Sequence, residues 1–269
     1  MRKTCIISDK GGDTKSTTTN AAATGINYLG KKIGNKDKNY KALAVTMEPS
    51  GHLPYFFGLD SEVYPTVYHV AKGEISFSDA IQHTDRGDIL NGNAWVNGID
   101  TLWKTTDEKQ RVFCALRDGL NEVQDQYSHV FIDCKPLTGG TLTIQSLIAC
   151  DDVIIPMKAS AASLKSLMIL YKAIGEIKAA YNPNIRVAGV LITRFKYTSY
   201  EKGIIQNLNI WAKINNTKVY KAFVPDGIGI EEAQGSQQNI YEYKYGFGKD
   251  KPANAYLEFL KEYLKEEGN

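Results

Sequence analysis

The sequence predicts an α/β fold in which a doubly wound, mostly parallel sheet carries helices on both faces. Short apolar runs alternate with longer helical patterns along all 269 residues. The runs are apolar almost throughout, which indicates strands covered on both sides rather than strands with one wet face. Strands that alternate with helices are typical of a parallel sheet with crossover helices. Because no internal repeat or long linker is visible, residues 1–269 are expected to form one domain.

Each predicted element follows from a local pattern. Six runs of apolar and β-branched residues predict strands at 4–8, 42–46, 130–133, 152–156, 187–193 and 218–224. Segments with helical periodicity predict helices at 16–29, 108–123, 160–180 and 253–265. The polar stretches 35–41 and 235–251 are expected to be a turn and a surface loop. The last helix carries an apolar stripe that is expected to pack on the core.

Composition and charge exclude several classes of protein. Hydrophobic residues make up 43% and charged residues 23% of the chain, as in ordinary globular proteins. The net charge of +2 is too small to indicate nucleic-acid binding by itself, so any DNA contact needs a local basic patch. No apolar run reaches the length of a membrane span, and a cytoplasmic location is expected. The cysteines, which form no CxxC pair, are expected to be reduced core thiols: Cys5, Cys114, Cys134 and Cys150.

A glycine-rich segment at residues 10–17, Lys-Gly-Gly-Asp-Thr-Lys-Ser-Thr, follows the first strand and opens the first helix. In this context backbone amides at a helix N-terminus hold phosphate groups. Lys15 is expected to reach the β- and γ-phosphates, Ser16 to bind Mg²⁺ and Thr17 to bond the α-phosphate. Thr14 stands where the general pattern G-x-x-x-x-G-K-[ST] has glycine. A glycine-rich helix cap without a ligand therefore remains an alternative.

The segment KGGDTKSTT resembles the deviant Walker-A box of the ParA/MinD ATPases, KGGxGK[ST]T. Further segments resemble family segments in the same order. KALAVTMEPSGHL at 41–53 resembles the D-x-D-P-Q-G box, and YSHVFIDCKP at 127–136 resembles the Walker-B strand that ends in D-C-P-P. DDVIIPMKASAASLKSL at 151–167 and VPDGIGIEEA at 224–233 resemble later family segments. Because the matches run from about residue 3 to about residue 260, the chain is identified as a member of this family.

The resemblance implies a P-loop NTPase fold, ATP and Mg²⁺ as ligands, and roles for individual residues. Lys10 would reach across a nucleotide-sandwich dimer to the partner's phosphates, and Glu48 would orient the attacking water. Ser16 and Asp133 would hold Mg²⁺. The nucleotide-binding residues that it implies are Gly11, Gly12, Asp13, Thr14, Lys15, Ser16, Thr17, Pro225 and Gly227.

The sequence departs from the family pattern inside the site. Thr14 replaces a glycine at a position where a β-branched residue is expected to be strained. Thr46 replaces the first aspartate of the second box, and Glu48 adds a methylene to the second. Ser50 and Lys135 replace the family's glutamine and proline. We expect ATP binding to be retained and hydrolysis to be slow or lost.

The resemblance also implies partners. These are a second copy of the chain on ATP binding, a ParB-like centromere-binding protein and non-specific DNA, in plasmid or chromosome partitioning. DNA binding would make the protein nucleoid-associated, and the residues expected to contact DNA are Arg194, Lys196, Lys202, Lys213, Lys218 and Lys221. The acidic last helix argues against MinD-type membrane binding. The alternative function is a catalytically silent binding or regulatory module that kept the fold and does not cycle ATP.

Overall fold

The computed structural model describes residues 1–9, 12, 14–33, 40–60, 62–136 and 140–265. Within them, strands join in one seven-stranded sheet with the order β3-β4-β2-β5-β1-β6-β7. Neighbouring strands are parallel, except β3 and β4 at one edge. The strands are β1 Arg2–Ile6, β2 Ala42–Thr46, β3 Ile81–Thr84, β4 Gly87–Leu90, β5 His129–Asp133, β6 Asp152–Met157 and β7 Arg186–Ile192.

Helices connect these strands, and a 3₁₀ helix spans Ala94–Thr101. The α-helices are α1 Lys15–Ile33, α2 His52–Phe56, α3 Val67–Lys72, α4 Thr106–Glu122, α5 Thr141–Ala149, α6 Ala161–Ala180, α7 Ser199–Ile214, α8 Gly229–Gly235 and α9 Lys251–Lys265. Several begin with side-chain caps, such as Thr105 of α4, which accepts from the Glu108 amide while Glu108 bonds back.

Two hydrophobic cores lie on opposite faces of the sheet. Cys5 and Val45 belong to the core that includes residues of α3 to α7. Ile6 and Ala44, their neighbours along the strands, belong to the core that includes residues of α1, α2, α8 and α9. This alternation follows from the two-residue period of a strand. The predicted doubly wound α/β fold is thereby confirmed.

Helix α9 packs against α1, as its apolar stripe predicts. Tyr256, Phe259 and Tyr263 are almost completely buried. A Cβ atom added at Gly25 of α1 would lie 2.3 Å from Leu260 Cδ1, so the two helices approach closely at a glycine. This contact fixes α9 beside the first helix, and thereby beside the segment that precedes it.

The predicted strand at 218–224 is wrong. The segment runs beside β7, but it forms only isolated bridges, Val219 with Val190 and Pro225 with Phe195. The Lys221 amide donates to Oε2 of Glu262 in α9 at 2.9 Å, which takes it out of register with the sheet. The hairpin β3–β4, by contrast, is present but was not predicted. Its edge strand contains polar residues and therefore shows no apolar run.

Two smaller expectations concern cysteines and membranes. Cys5, Cys114, Cys134 and Cys150 are buried free thiols, as predicted. Across the described ranges, no helix has the length and apolar content needed to cross a bilayer.

Candidate functional site

The first turn of α1 and the carboxyl ends of β2 and β5 meet at one edge of the parallel sheet. Thr46 of β2 lies beside Asp133 of β5, which in turn lies beside Ile6 of β1. An open cleft enclosing about 770 Å³ of empty space lies at this edge. Its wall is formed by Gly12, Thr14, Lys15, Ser16, Thr17, Glu48, Ser50, His52, Phe56 and Pro136. The structure thus brings together predicted phosphate, metal and water-orienting residues, while Lys10, Gly11 and Asp13 lie outside the described residues.

Asp133 has an unusual electrostatic environment. Its side chain is 1% exposed, and neither carboxylate oxygen makes a hydrogen bond of standard geometry within the described residues. Burial raises the pKa of Asp133 to about 7; the Ser16 hydroxyl and the Lys15 charge oppose this rise, and Glu48 adds to it. Burying a carboxylate is costly when its oxygens make no hydrogen bond of standard geometry. These residues fit Mg²⁺, which binds through one or two carboxylates and keeps several waters.

Lys15 opens α1 and is only 8% exposed. A lysine is rarely buried to this extent without an anionic partner. Its ammonium group is close enough to lower the pKa of Asp133, although burial outweighs that effect. The Lys15 carbonyl accepts a hydrogen bond from the Thr19 hydroxyl at 3.0 Å, which braces the first turn. Lys15 is therefore held at the floor of the cleft, where it can meet a phosphate.

Thr14 adopts the left-handed conformation that its position was expected to require, with φ of 62°. A non-glycine residue pays roughly 1–2 kcal/mol there. Its carbonyl accepts a 2.7 Å hydrogen bond from the Thr18 amide. The strained residue therefore sets the start of α1, and its side chain stays in the wall of the cleft.

A second pocket adjoins the cleft and encloses about 410 Å³ of empty space. The predicted nucleotide residues Pro225 and Gly227 line it, and Thr14 and Thr17 line both cavities. Its wall also contains Thr193, Arg194, Val224, Asp226, Ile230, Glu231, Pro252 and Tyr256. A cleft that continues into a pocket with both apolar and polar walls is the kind of concave site in which small molecules bind.

Two residues of the pocket wall, Thr193 and Tyr256, differ in how far the sequence predicts their position. Thr193 ends a predicted strand, whereas Tyr256 reads only as a core residue of the last helix. The Thr193 side chain is completely buried, and its hydroxyl finds no hydrogen-bond partner within the described ranges. A buried hydroxyl without a partner is rare in a folded protein, and its position calls for an explanation.

Glu48 lies in the cleft wall, close in the chain to Thr46 and Ser50, which replace the aspartate and glutamine of the family pattern. Its amide approaches the Thr46 hydroxyl at 3.4 Å. Ser50 and His52 form a hydrogen bond of 3.1 Å between Oγ and Nδ1. The side chain of Glu48 raises the pKa of Asp133, so it faces the same polar centre.

A family model described as an AAA domain matches residues 1–187, more than half of the chain. The chain belongs to the ParA/MinD family of ATPases. This confirms the resemblance that the ordered segments indicate.

This ParA/MinD chain is similar to several known proteins over nearly its full length. The chromosome partitioning protein ParA of Caulobacter vibrioides (strain NA1000 / CB15N) is 25% identical, covering 99% of this chain and 95% of that protein. The sporulation initiation inhibitor protein Soj of Bacillus subtilis (strain 168) is 26% identical, covering 96% of each. Among solved structures, cobyrinic acid a,c-diamide synthase from Mycobacterium smegmatis with bound ATP analog and magnesium matches this chain with a TM-score of 0.80. The two sequences are 23% identical. The match covers 100% of this chain and 96% of that chain, and it confirms the fold.

The basic residues of this ParA/MinD chain that were predicted to contact DNA are partly neutralised. Arg194 and Lys196 form ion pairs with Asp226 at 3.1 and 3.5 Å. Partial burial raises the pKa of Asp226, but Arg194 and Lys196 lower it by more, so the Asp226 carboxylate stays charged. Lys218 pairs with Glu262 at 3.4 Å. The predicted patch is therefore less positive than its lysine and arginine content indicates.

Proposed function

We propose that this chain binds MgATP in the cleft and the adjoining pocket and acts as a ParA-like, ATP-dependent dimerisation switch. The observation that carries the proposal is the buried, unsatisfied Asp133 carboxylate beside Ser16 and Lys15. Such an arrangement costs stability in the empty protein. A divalent cation together with a triphosphate would offset that cost.

In this proposal each side chain has a separate task. The helix N-terminus and Lys15 bind the phosphates, and Thr17 bonds the phosphate nearest the pocket. Ser16 and Asp133 hold the metal shell. When bound, Mg²⁺ supplies positive charge to the β- and γ-phosphate oxygens. Pro225, Gly227 and Thr193 form the wall against which the base and ribose lie.

Hydrolysis is proposed to be slow. Thr46 supplies no carboxylate beside Asp133, and Glu48 is the acidic residue of the cleft wall that remains to orient water. Its side chain is longer than that of the family's aspartate, and displacement by about 1 Å can cost a factor of roughly 100 in rate. The site is therefore better suited to holding ATP than to turning it over quickly.

The proposed partners follow from family membership. Relatives that bear the names ParA and Soj support partitioning of plasmid or chromosomal DNA, with a ParB-like protein that stimulates release. Lys10 is proposed to contact the phosphates of the partner copy, as an arginine finger does in other P-loop enzymes. Each bound nucleotide would then meet Asp133, Lys15 and Glu48 of the copy that binds it, and Lys10 of the other copy.

Size-exclusion chromatography with light scattering tests the switch. We expect the mass to change from monomer to dimer when MgATP is added. Lys15→Ala should abolish both ATP binding and dimerisation, whereas Lys10→Ala should keep ATP binding and lose the dimer. Lys31→Ala, at an exposed lysine in the last turn of α1, is the matched control and should behave as wild type.

The strain at Thr14 and the missing carboxylate at Thr46 favour one second candidate, a catalytically silent module that kept the fold. That candidate predicts a single mass with and without MgATP. An unchanged mass in a protein that demonstrably binds ATP would contradict the switch and support the silent module.

A further inference from the structure

Thr14 occupies a backbone conformation that a threonine does not adopt without support. Its φ of 62° lies in the left-handed region, where a β-branched side chain is disfavoured. Strained residues persist when surrounding contacts hold them. The Thr18 amide bonds the Thr14 carbonyl, so any relaxation of Thr14 would also disturb the first turn of α1.

Tyr256 of α9 provides such a contact. Its hydroxyl lies 3.0 Å from Oγ1 of Thr18, the residue whose amide bonds the Thr14 carbonyl at 2.7 Å. Tyr256 is 1% exposed and Thr18 is completely buried, so no bulk water competes for these bonds. Burial raises the pKa of Tyr256, and the phenol therefore stays protonated and able to donate.

The contact lies at the junction of the two cavities. Thr14 lines both the phosphate cleft and the adjoining pocket, and Tyr256 lines the pocket. Resting on the proposed function, that the cleft takes a nucleotide, we propose that Tyr256 is a positioning residue for the segment from Thr14 to Thr18. Its hydroxyl holds Thr18, whose amide bonds the Thr14 carbonyl, and so keeps the Thr14 backbone in the conformation that glycine reaches unaided. Thr14 and Tyr256 thus form a functional pair.

A double-mutant cycle tests the pair. We measure MgATP affinity by calorimetry for wild type, Tyr256→Phe, Thr14→Gly and the double variant. In the Thr14 protein, loss of the hydroxyl should weaken MgATP binding roughly five- to tenfold, the scale of one hydrogen bond. In the Thr14→Gly protein the same loss should change affinity by less than about twofold, because glycine needs no support.

Tyr263→Phe is the matched control. Tyr263 is also a buried tyrosine of α9, and its hydroxyl bonds Thr4 at 2.7 Å, away from the loop. It should lower the melting temperature about as much as Tyr256→Phe and leave MgATP affinity unchanged. Equal weakening by Tyr256→Phe in the wild-type and Thr14→Gly backgrounds would overturn the proposal, since it would indicate a direct contact with the nucleotide or a general loss of structure. No weakening in either background would overturn it as well.

Hydrogen exchange of the nucleotide-free protein keeps this inference separate from the proposed function. Tyr256→Phe should speed exchange at the Thr18 amide in the Thr14 protein, but not in the Thr14→Gly protein. If wild type bound no nucleotide, the proposed function would fail, and the exchange pattern would still decide the pairing. Identical exchange at Thr18 in wild type and Tyr256→Phe would then overturn it.

Discussion

At the scale of single residues, the site is defined by polar groups that the protein buries without satisfying. Asp133 ends β5 and Thr193 directly follows β7, and both side chains lack standard hydrogen-bond partners among the described residues. A small number of unsatisfied groups is normal in a folded protein, and each one calls for an explanation. Here both lie at the carboxyl ends of strands, Thr193 in the wall of the second pocket and Asp133 beside Ser16 of the cleft wall, and we infer that a ligand binds there.

The pKa of Asp133 leads to a prediction about pH and stability. The folded-state pKa is about 7, above the value of about 3.9 for an unfolded aspartate. Between these values the folded protein holds a proton that the unfolded chain has released. The free energy of unfolding of the nucleotide-free protein should therefore fall as pH rises from about 4 to about 7, and level off on both sides. Urea denaturation across this range measures it.

Asp133→Asn is the comparison for that titration. The amide cannot ionise, so the variant should lose this part of the pH dependence and be more stable than wild type above pH 7, by roughly 1–3 kcal/mol. The same slope in both proteins would show that Asp133 is not the group that titrates.

Thr193→Val separates stability from binding at the second unsatisfied group. Valine keeps the shape and removes the hydroxyl, so the nucleotide-free variant should be more stable by about 1 kcal/mol. MgATP affinity should fall roughly fivefold if the hydroxyl bonds the nucleotide. Thr24→Val is the control, because its hydroxyl is already satisfied by the Asn20 carbonyl at 2.7 Å. It should lose stability and leave affinity unchanged.

At the scale of elements, the close approach of α1 and α9 is what places Tyr256 beside Thr18 in the first turn of α1. Gly25→Ala would put a methyl group 2.3 Å from Leu260 Cδ1. We expect a loss of roughly 1–3 kcal/mol in the free energy of unfolding, because the buried Leu260 side chain must shift within a packed core. Gly175→Ala in α6 has open space at its Cβ position and should instead stabilise by about 0.5–1 kcal/mol. Urea denaturation of both variants decides, and equal effects would contradict the packing.

The same elements show how much could be predicted from sequence. Strand β1 and the central strands β5 and β6 are apolar runs, and their pattern predicts them directly. Strand β3 was missed, since Gln82 and His83 give an edge strand no apolar signal. The predicted strand at 218–224 was wrong because a distant carboxylate, Glu262, takes the Lys221 amide. Such long-range competition has no local signature.

The candidate site follows the same division. Ser16, Asp133 and Gly227 lie in local motifs; Ser16 and Gly227 line the cavities, and Asp133 is buried close to Ser16. Tyr256 carries no motif, and its partner Thr18 is far away in the chain. The roles of Lys10 and Glu48 stay predictions, and Lys10→Ala tests the first of them.

At the scale of the whole molecule, charge distribution decides whether DNA can be held. Net charge is only +2, and Asp226 pairs with both Arg194 and Lys196. We expect weak non-specific binding with a shallow dependence on salt. Asp226→Asn should release both cations, tighten binding and steepen the logarithmic salt slope by roughly 1–2. Fluorescence anisotropy with a random duplex at several salt concentrations, at saturating MgATP, measures this.

Lys202 and Lys213 are exposed on α7 and serve as the comparison. If DNA lies along this face, alanine at either should lower the salt slope by about 1. An unchanged slope in Asp226→Asn would contradict the neutralisation of Arg194 and Lys196 by Asp226.

The proposed function as a whole depends on a triphosphate and a magnesium ion meeting at Lys15, Ser16 and Asp133. Isothermal titration of ATP into the wild-type protein, with and without Mg²⁺, tests this most directly. We predict saturable binding with Mg²⁺, and binding weakened roughly ten- to hundredfold by chelation or by Asp133→Asn. An absence of binding heat at millimolar ATP, or the same affinity with Asp133 replaced, would contradict the account.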